Sequence, residues 1–327
     1  MLFYSFKNYL KDKFPGLKVY KIALDAGFTC PHRTSDTRTG GCIYCENRSF
    51  SPYAKLSPRP PIREQIARAM EFYRQRHKAD KFIIYFQAYT NTLGPVDKLK
   101  ALYDEALSAP DVVGLSIGTR PDCVPDQTLD LITGYTKRPA RPDGSSGGYD
   151  VWLEYGLQSA NDKTLEFINR GHKYADFEDA VKRTKERGTR LTEPVGQVSI
   201  AAHLILGLPG ETKDDMLYSV QKVIDLGIDG IKLHHLYVAQ NTKLAKLYAE
   251  GNIKVFTLAE YIPLVCDVIE RLPPKMVIIR TTGELSGEYL IAPKWNVSKS
   301  AIIRMIEKEL THRGSYQGKK SPSAPHL

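Results

Sequence analysis

The stretch Cys30-Pro-His-Arg-Thr-Ser-Asp-Thr-Arg-Thr-Gly-Gly-Cys42-Ile-Tyr-Cys45 follows the first strand-like run of the chain and spaces three cysteines as C-x11-C-x2-C. Cys123 and Cys266 stand apart, which makes five cysteines in all. An odd, clustered set argues against a disulfide framework and for metal or redox chemistry in a reducing compartment. Three thiolates are one short of the usual four for a structural zinc or an iron–sulfur cluster. A cubane cluster held by three cysteines leaves one iron open to a further ligand. Zinc with His32 as fourth ligand is the alternative, although Cys30 and His32 lack the customary spacing.

Outward from this loop, apolar β-rich runs alternate with helical patterns. Strands are expected at Val19–Leu24, Phe82–Gln87, Val112–Ile117, Val151–Leu157, Val198–Gly207 and Ile231–Tyr237. Helices are expected at Ile62–His77, Val96–Ser108, Gln127–Gly134, Phe177–Arg187, Lys213–Leu226 and Lys243–Glu250. Six strand–helix units predict a parallel sheet with right-handed crossovers, as an open doubly wound sheet or an incomplete barrel. No Gly-x-Gly-x-x-Gly follows the first strand, which weakens the dinucleotide-binding version. Phe256–Arg271, Met276–Arg280 and Ser298–Thr311 read as an appended C-terminal portion. Lys137–Gly148 reads as a surface loop, and the polar tail after Arg313 as disordered. The expected organisation is a barrel over 1–250 that includes the cysteine loop, an extension over 251–313 and a tail over 314–327.

The chain has 327 residues, with 46 Lys and Arg against 37 Asp and Glu, a formal charge of +9. Arg59, Arg63, Arg68, Arg74, Arg76 and Lys78 concentrate part of the excess, and a second concentration runs from Lys294 to Lys320. Such a balance favours polyanions, although a solvated helix face explains the same pattern. No apolar run is long enough to span a membrane, and the N-terminus lacks a secretory pattern. A cytoplasmic protein is the expectation.

The cysteine loop resembles that of radical SAM enzymes, in which three loop cysteines hold a [4Fe–4S] cluster and S-adenosylmethionine (SAM) chelates the fourth iron. The common family spacing is C-x3-C-x2-C; the eleven-residue first gap resembles the branch of the Elongator catalytic subunit. The resemblance implies a partial TIM-type (β/α)6 barrel with a small C-terminal α/β extension. It implies Cys30, Cys42 and Cys45 as cluster ligands and Tyr44 as the aromatic residue against the adenine. Gln87, Tyr89 and Thr90 match by place the segment that meets the SAM amino group, without its glycines. Period-two alternation puts Glu154, Gly156 and Gln158 on one strand face, and a buried glutamate needs a partner. Either a polar ligand or an internal Lys or Arg pair supplies one.

Gly156-Leu-Gln-Ser159, followed by Arg170-Gly-His172, is similar to a segment of oxygen-independent coproporphyrinogen oxidases. There the glutamine and arginine contact SAM, which carries over to Gln158 and Arg170, with Ser159 beside them. His172 reads as a capping or supporting residue. His203-Leu-Ile-Leu-Gly207 resembles the fifth-strand motif along the adenine, with His203 where those oxidases have aspartate. Lys232 and His234 share one face of strand six and are candidates for substrate.

In the family, one electron from the cluster cleaves SAM to methionine and a 5′-deoxyadenosyl radical, which abstracts hydrogen from substrate. The Elongator-like branch implies a tRNA wobble-uridine side chain as substrate, for example carboxymethylaminomethyl converted to aminomethyl. Arg280, Lys294, Trp295 and Lys299 are candidate contacts to the RNA. The implied redox partner is a one-electron reductant such as flavodoxin or ferredoxin. Two alternatives stay open: a radical SAM enzyme of small metabolites or peptides, and a non-catalytic, metal-stapled nucleic-acid binder.

Overall fold

The computed structural model describes residues 1–33, 40–46, 53, 56, 58–87, 89–137, 147–189, 197–283, 285 and 287–321. Most of the expected loop 137–148, and residues 322–327 of the expected tail, lie outside them. In chain order the elements are α1 (Phe6–Lys13), β1 (Val19–Leu24), α2 (Ile62–His77), β2 (Lys81–Phe86), α3 (Val96–Leu107), β3 (Val112–Thr119) and α4 (Asp126–Gly134). They continue with β4 (Asp150–Gln158), α5 (Asp162–Phe167), α6 (Tyr174–Thr189), β5 (Ser199–Leu206), α7 (Lys213–Asp225), β6 (Gly230–His235) and β7 (Val238–Ala239). The last are α8 (Lys243–Ala249), α9 (Leu258–Arg271), β8 (Val277–Arg280), β9 (Leu290–Ala292) and α10 (Lys299–His312). No described helix is long and apolar enough to cross a membrane.

Seven strands form one sheet in the order β1-β2-β3-β4-β5-β6-β8, with every neighbouring pair parallel. The sheet is curled, as two contacts demand. Lys21 on β1 reaches Glu154 on β4 at 2.6 Å, and Lys232 on β6 reaches the Tyr85 hydroxyl on β2 at 2.8 Å. Strands lie about 4.8 Å apart, so a flat sheet would hold these pairs well beyond a lysine's reach. The architecture is therefore an incomplete parallel barrel. The appended run expected at Met276–Arg280 supplies its seventh strand, β8, paired with β6.

β4 shows how the sequence builds this wall. Val151, Leu153, Tyr155 and Leu157 belong to the main apolar core, whereas Trp152 packs in a separate cluster with Ala201, Val277, Tyr4, Phe6 and Tyr9. Both faces are buried, and so the strand reads as an apolar run. On the inner face α1 closes one end of the barrel: Phe6 and Tyr9 meet the Trp152 ring edge-on at 5.7 and 5.2 Å. The Tyr9 hydroxyl donates to Asp150 at 2.6 Å. Trp152→Ala is expected to cost about 3–5 kcal/mol, read as a lower urea midpoint with an unchanged slope.

Sequence reasoning missed α1, although Ser5 caps it by accepting from the Asn8 amide and Lys11 and Lys13 sit in its last turn. The expected disorder from residue 314 is corrected for 314–321. Ser315, Gln317 and Ser321 are buried. Gln317 accepts from the Tyr4 amide at 2.7 Å and donates to the Pro273 and Met276 carbonyls at 2.7 and 2.8 Å. Polar groups fasten this segment, so no apolar periodicity announces it.

Candidate active site

The carboxyl ends of the strands open into a cavity bounded on one side by the cysteine loop. Backbone and side-chain contacts fix that loop to the barrel. The Ile43 amide donates to Ile168 O at 3.0 Å, the Leu244 amide to Ile43 O at 2.9 Å, and the Asn169 side chain to Gly41 O at 2.7 Å. Gly40 and Gly41 have φ of +75° and +79°, and a Cβ on Gly40 would lie 2.5 Å from His32 O. Only glycine satisfies both demands.

Cys30, Cys42 and Cys45 all line the cavity. The Thr90 hydroxyl donates to Cys30 Sγ at 3.3 Å, and Arg170 Nη1 points at Cys42 Sγ at 3.7 Å. Burial disfavours the thiolate at Cys42, but Arg170 and His32 overcome it and hold the thiol down to about 6. Burial and the neighbouring Cys42 push Cys45 up to about 12, and burial also raises Cys30. Three thiolates side by side need a cationic centre to coexist. This donor set fits an iron–sulfur cluster with three protein ligands. Among the described residues, no three His, Cys, Asp or Glu side chains converge as one metal ion requires.

Arg170 is fully framed by the barrel. Its Nε and Nη2 donate to Gly156 O at 3.2 and 2.6 Å, and a Cβ on Gly156 would meet Nη2 at 2.7 Å. The fork expected to face a SAM carboxylate is thus turned onto backbone, with Nη1 toward a cysteine. His172 is buried beside it, with Nε2 3.1 Å from the same carbonyl. Burial and Arg170 push this imidazole down to about 3, so it is neutral. A register shift between Gly156 and Gln158 turns Gln158 into the left-handed region at φ +78°; Tyr89 follows at +66°. Both line the cavity, where strained backbone tends to gather.

Deeper in the barrel, Glu154 is completely buried. Its carboxylate accepts from Lys21 and Ser116 at 2.6 Å, from His203 at 2.8 Å and from Lys232 at 2.9 Å. Burial alone would raise its pKa, but Lys21, Lys232 and His203 hold it well below the carboxylate range. Burial and Lys232 push His203 down to about 4, so its Nε2–H is a neutral donor. The internal lysine pair is the partner that sequence reasoning left open.

Of the residues singled out from sequence, Tyr44, Gln87, Tyr89, Thr90, Glu154, Gln158, Arg170, His203, Lys232 and His234 join the three cysteines around the cavity. Ser159 and Gly207 lie outside its lining. Ser159 donates to Glu211, and a Cβ on Gly207 would meet the Phe256 ring at 2.6 Å. The ring of Trp295, a candidate RNA contact, packs on His235 and Tyr261 at 4.1 and 5.2 Å, and its Nε1 donates to Phe256 O. Arg280 lines the cavity itself. Sequence reasoning missed Arg120, which holds Asp122 bidentately, donates to the Arg170 and Gly171 carbonyls at 2.5 and 3.0 Å, and lies 3.0 Å from His32. Its only signal was an arginine directly after an apolar strand.

Residues 29–223 match the radical SAM superfamily and residues 228–312 match the radical SAM C-terminal domain. The chain belongs to the radical SAM superfamily, whose members use a [4Fe–4S] cluster and SAM. It is 35% identical over 317 residues to the uncharacterized protein YtqA of Bacillus subtilis, covering 97% of this chain and 92% of that one. It is 24% identical over 199 residues to a tRNA uridine(34) acetyltransferase of Dehalococcoides mccartyi, covering 60% of this chain and 38% of that one. The solved structure of Methanocaldococcus infernus Elp3 lacking its N-terminus superposes with a TM-score of 0.61 at 18% identity. That match covers 92% of this chain but spans only 64% of the Elp3 chain, and it bears on the fold alone.

Proposed function

We propose that Cys30, Cys42 and Cys45 hold the [4Fe–4S] cluster and that the adjoining cavity binds SAM and a tRNA uridine side chain. The observation that carries the site is the meeting of three thiols, Arg170 and Gln158 around one cavity at the carboxyl ends of parallel strands, where barrel active sites gather. When bound, the cluster and SAM supply the electron transfer and the radical that starts hydrogen abstraction. The chain's own residues bind and orient. Tyr44, Gln87, Tyr89 and Thr90 line the cavity and would hold SAM, Arg170 sets the charge beside Cys42, and the buried Glu154 ion network ties the barrel strands together. His203 contributes a neutral N–H to that network, and no proton transfer is assigned to it.

The tRNA reading draws support from the +9 charge and from the distant tRNA uridine(34) acetyltransferase. A one-electron donor such as flavodoxin or ferredoxin is the partner the chemistry requires. The test is a nucleoside analysis of tRNA from cells lacking the protein, followed by treatment with the reconstituted enzyme, SAM and reductant. One wobble-uridine nucleoside should accumulate and then be consumed; an unchanged nucleoside profile would remove tRNA as the substrate. Arg170→Ala is expected to weaken SAM binding roughly 10- to 100-fold with iron content retained, measured by equilibrium dialysis. Unaltered affinity would confine Arg170 to holding the Gly156 carbonyl.

A further inference from the structure

We infer that the substrate presents an oxyanion, a carboxylate or a phosphate, to Arg280 at the β6–β8 side of the cavity, flanked by His234 and Lys232. The inference rests on the radical SAM reading of the same cavity and adds a substrate chemistry to it. Parallel register pairs His203 with Lys232 and Lys232 with Arg280, so three adjacent strands carry basic residues in one row. All of them line the cavity, and Glu154 is the sole carboxylate among the described lining residues.

The other cationic side chains of the lining are engaged. Arg33 donates to Cys45 O, Arg120 holds Asp122, Arg170 holds Gly156 O, and Lys232 is shared between Glu154 and Tyr85. The Arg280 side chain makes no hydrogen bond or ion pair with any described residue. A half-buried guanidinium facing buried cations is costly unless an anion completes it, and its fork suits a carboxylate or a phosphate. The surplus is felt nearby: burial, with Arg280 and Lys21 acting against Glu154, pushes Lys232 down to about 7. Arg170, the other candidate for an anionic group, follows β4, and β5 and β6 separate that strand from β8.

The test uses the full chain without cluster reconstitution and follows its thermal midpoint against sodium phosphate or sodium malonate, with chloride at equal ionic strength as reference. The wild type should be stabilised by at least one of the two anions, and the better one tells phosphate from carboxylate. Arg280→Met should weaken that binding about tenfold or more, Arg280→Lys should restore part of it, and the exposed Lys308→Met should match the wild type. Equal stabilisation of wild type and Arg280→Met, or no stabilisation of the wild type by either anion, would overturn the assignment. Reductive cleavage of SAM by the reconstituted wild type is measured separately. Its failure would remove the radical reading while leaving the anion result standing.

Discussion

Alanine at Cys30, Cys42 or Cys45 is expected to abolish cluster assembly: anaerobic reconstitution should leave iron and sulfide near background, against about four irons per wild-type chain. The three thiols face one cavity, and losing any one leaves two ligands for a cluster that already keeps one iron open. Cys123→Ala and Cys266→Ala should assemble normally. Cys123 lies beside Asp122, and Cys266 is buried in α9 with its thiol toward Ile306 O. Full iron and sulfide in any of the three loop variants would defeat the ligand assignment.

Glu154→Ala should produce a loss of stability as large as that of the largest core truncations in the barrel. It leaves Lys21 and Lys232 facing each other without their shared carboxylate, and breaking a buried ion network in this way costs about 3–5 kcal/mol. Urea unfolding measures it. Adding Lys232→Met to Glu154→Ala should recover part of the loss, because the buried surplus charge is removed. A Glu154→Ala loss below about 1 kcal/mol, the worth of an exposed pair, would mean the network contributes little.

The pH dependence has a definite sign. Glu154 is held below the ordinary carboxylate value in the folded chain, so the folded state binds fewer protons than the unfolded one. Its stabilisation is complete above an unfolded value of about 4.3 and is lost as pH falls below it toward the folded value. The acid limb of the wild-type stability curve should therefore be steeper than that of Glu154→Ala.

Much of this was legible because parallel strands advertise themselves. β4 and β5 carry apolar residues toward the helices and keep their polar exceptions, Glu154 and His203, for the inside. Both sit mid-strand, below the strand ends that open into the cavity. The missing parts are those fixed by partners distant in sequence. Lys21 meets Glu154 across 133 positions and Gln317 meets Tyr4 across 313; neither pairing has a local pattern. Ser159 and Gly207 were placed by motif, yet the structure spends them on Glu211 and on the approach of Phe256. Arg280 looked like a surface contact because nothing local shows that β8 joins the main sheet beside Lys232.

The most direct measurement is the fate of SAM with the anaerobically reconstituted, dithionite-reduced full chain. The account predicts 5′-deoxyadenosine and methionine in equal amounts from the wild type and neither from Cys42→Ala. A wild-type chain that carries its reduced cluster and leaves SAM intact would contradict it.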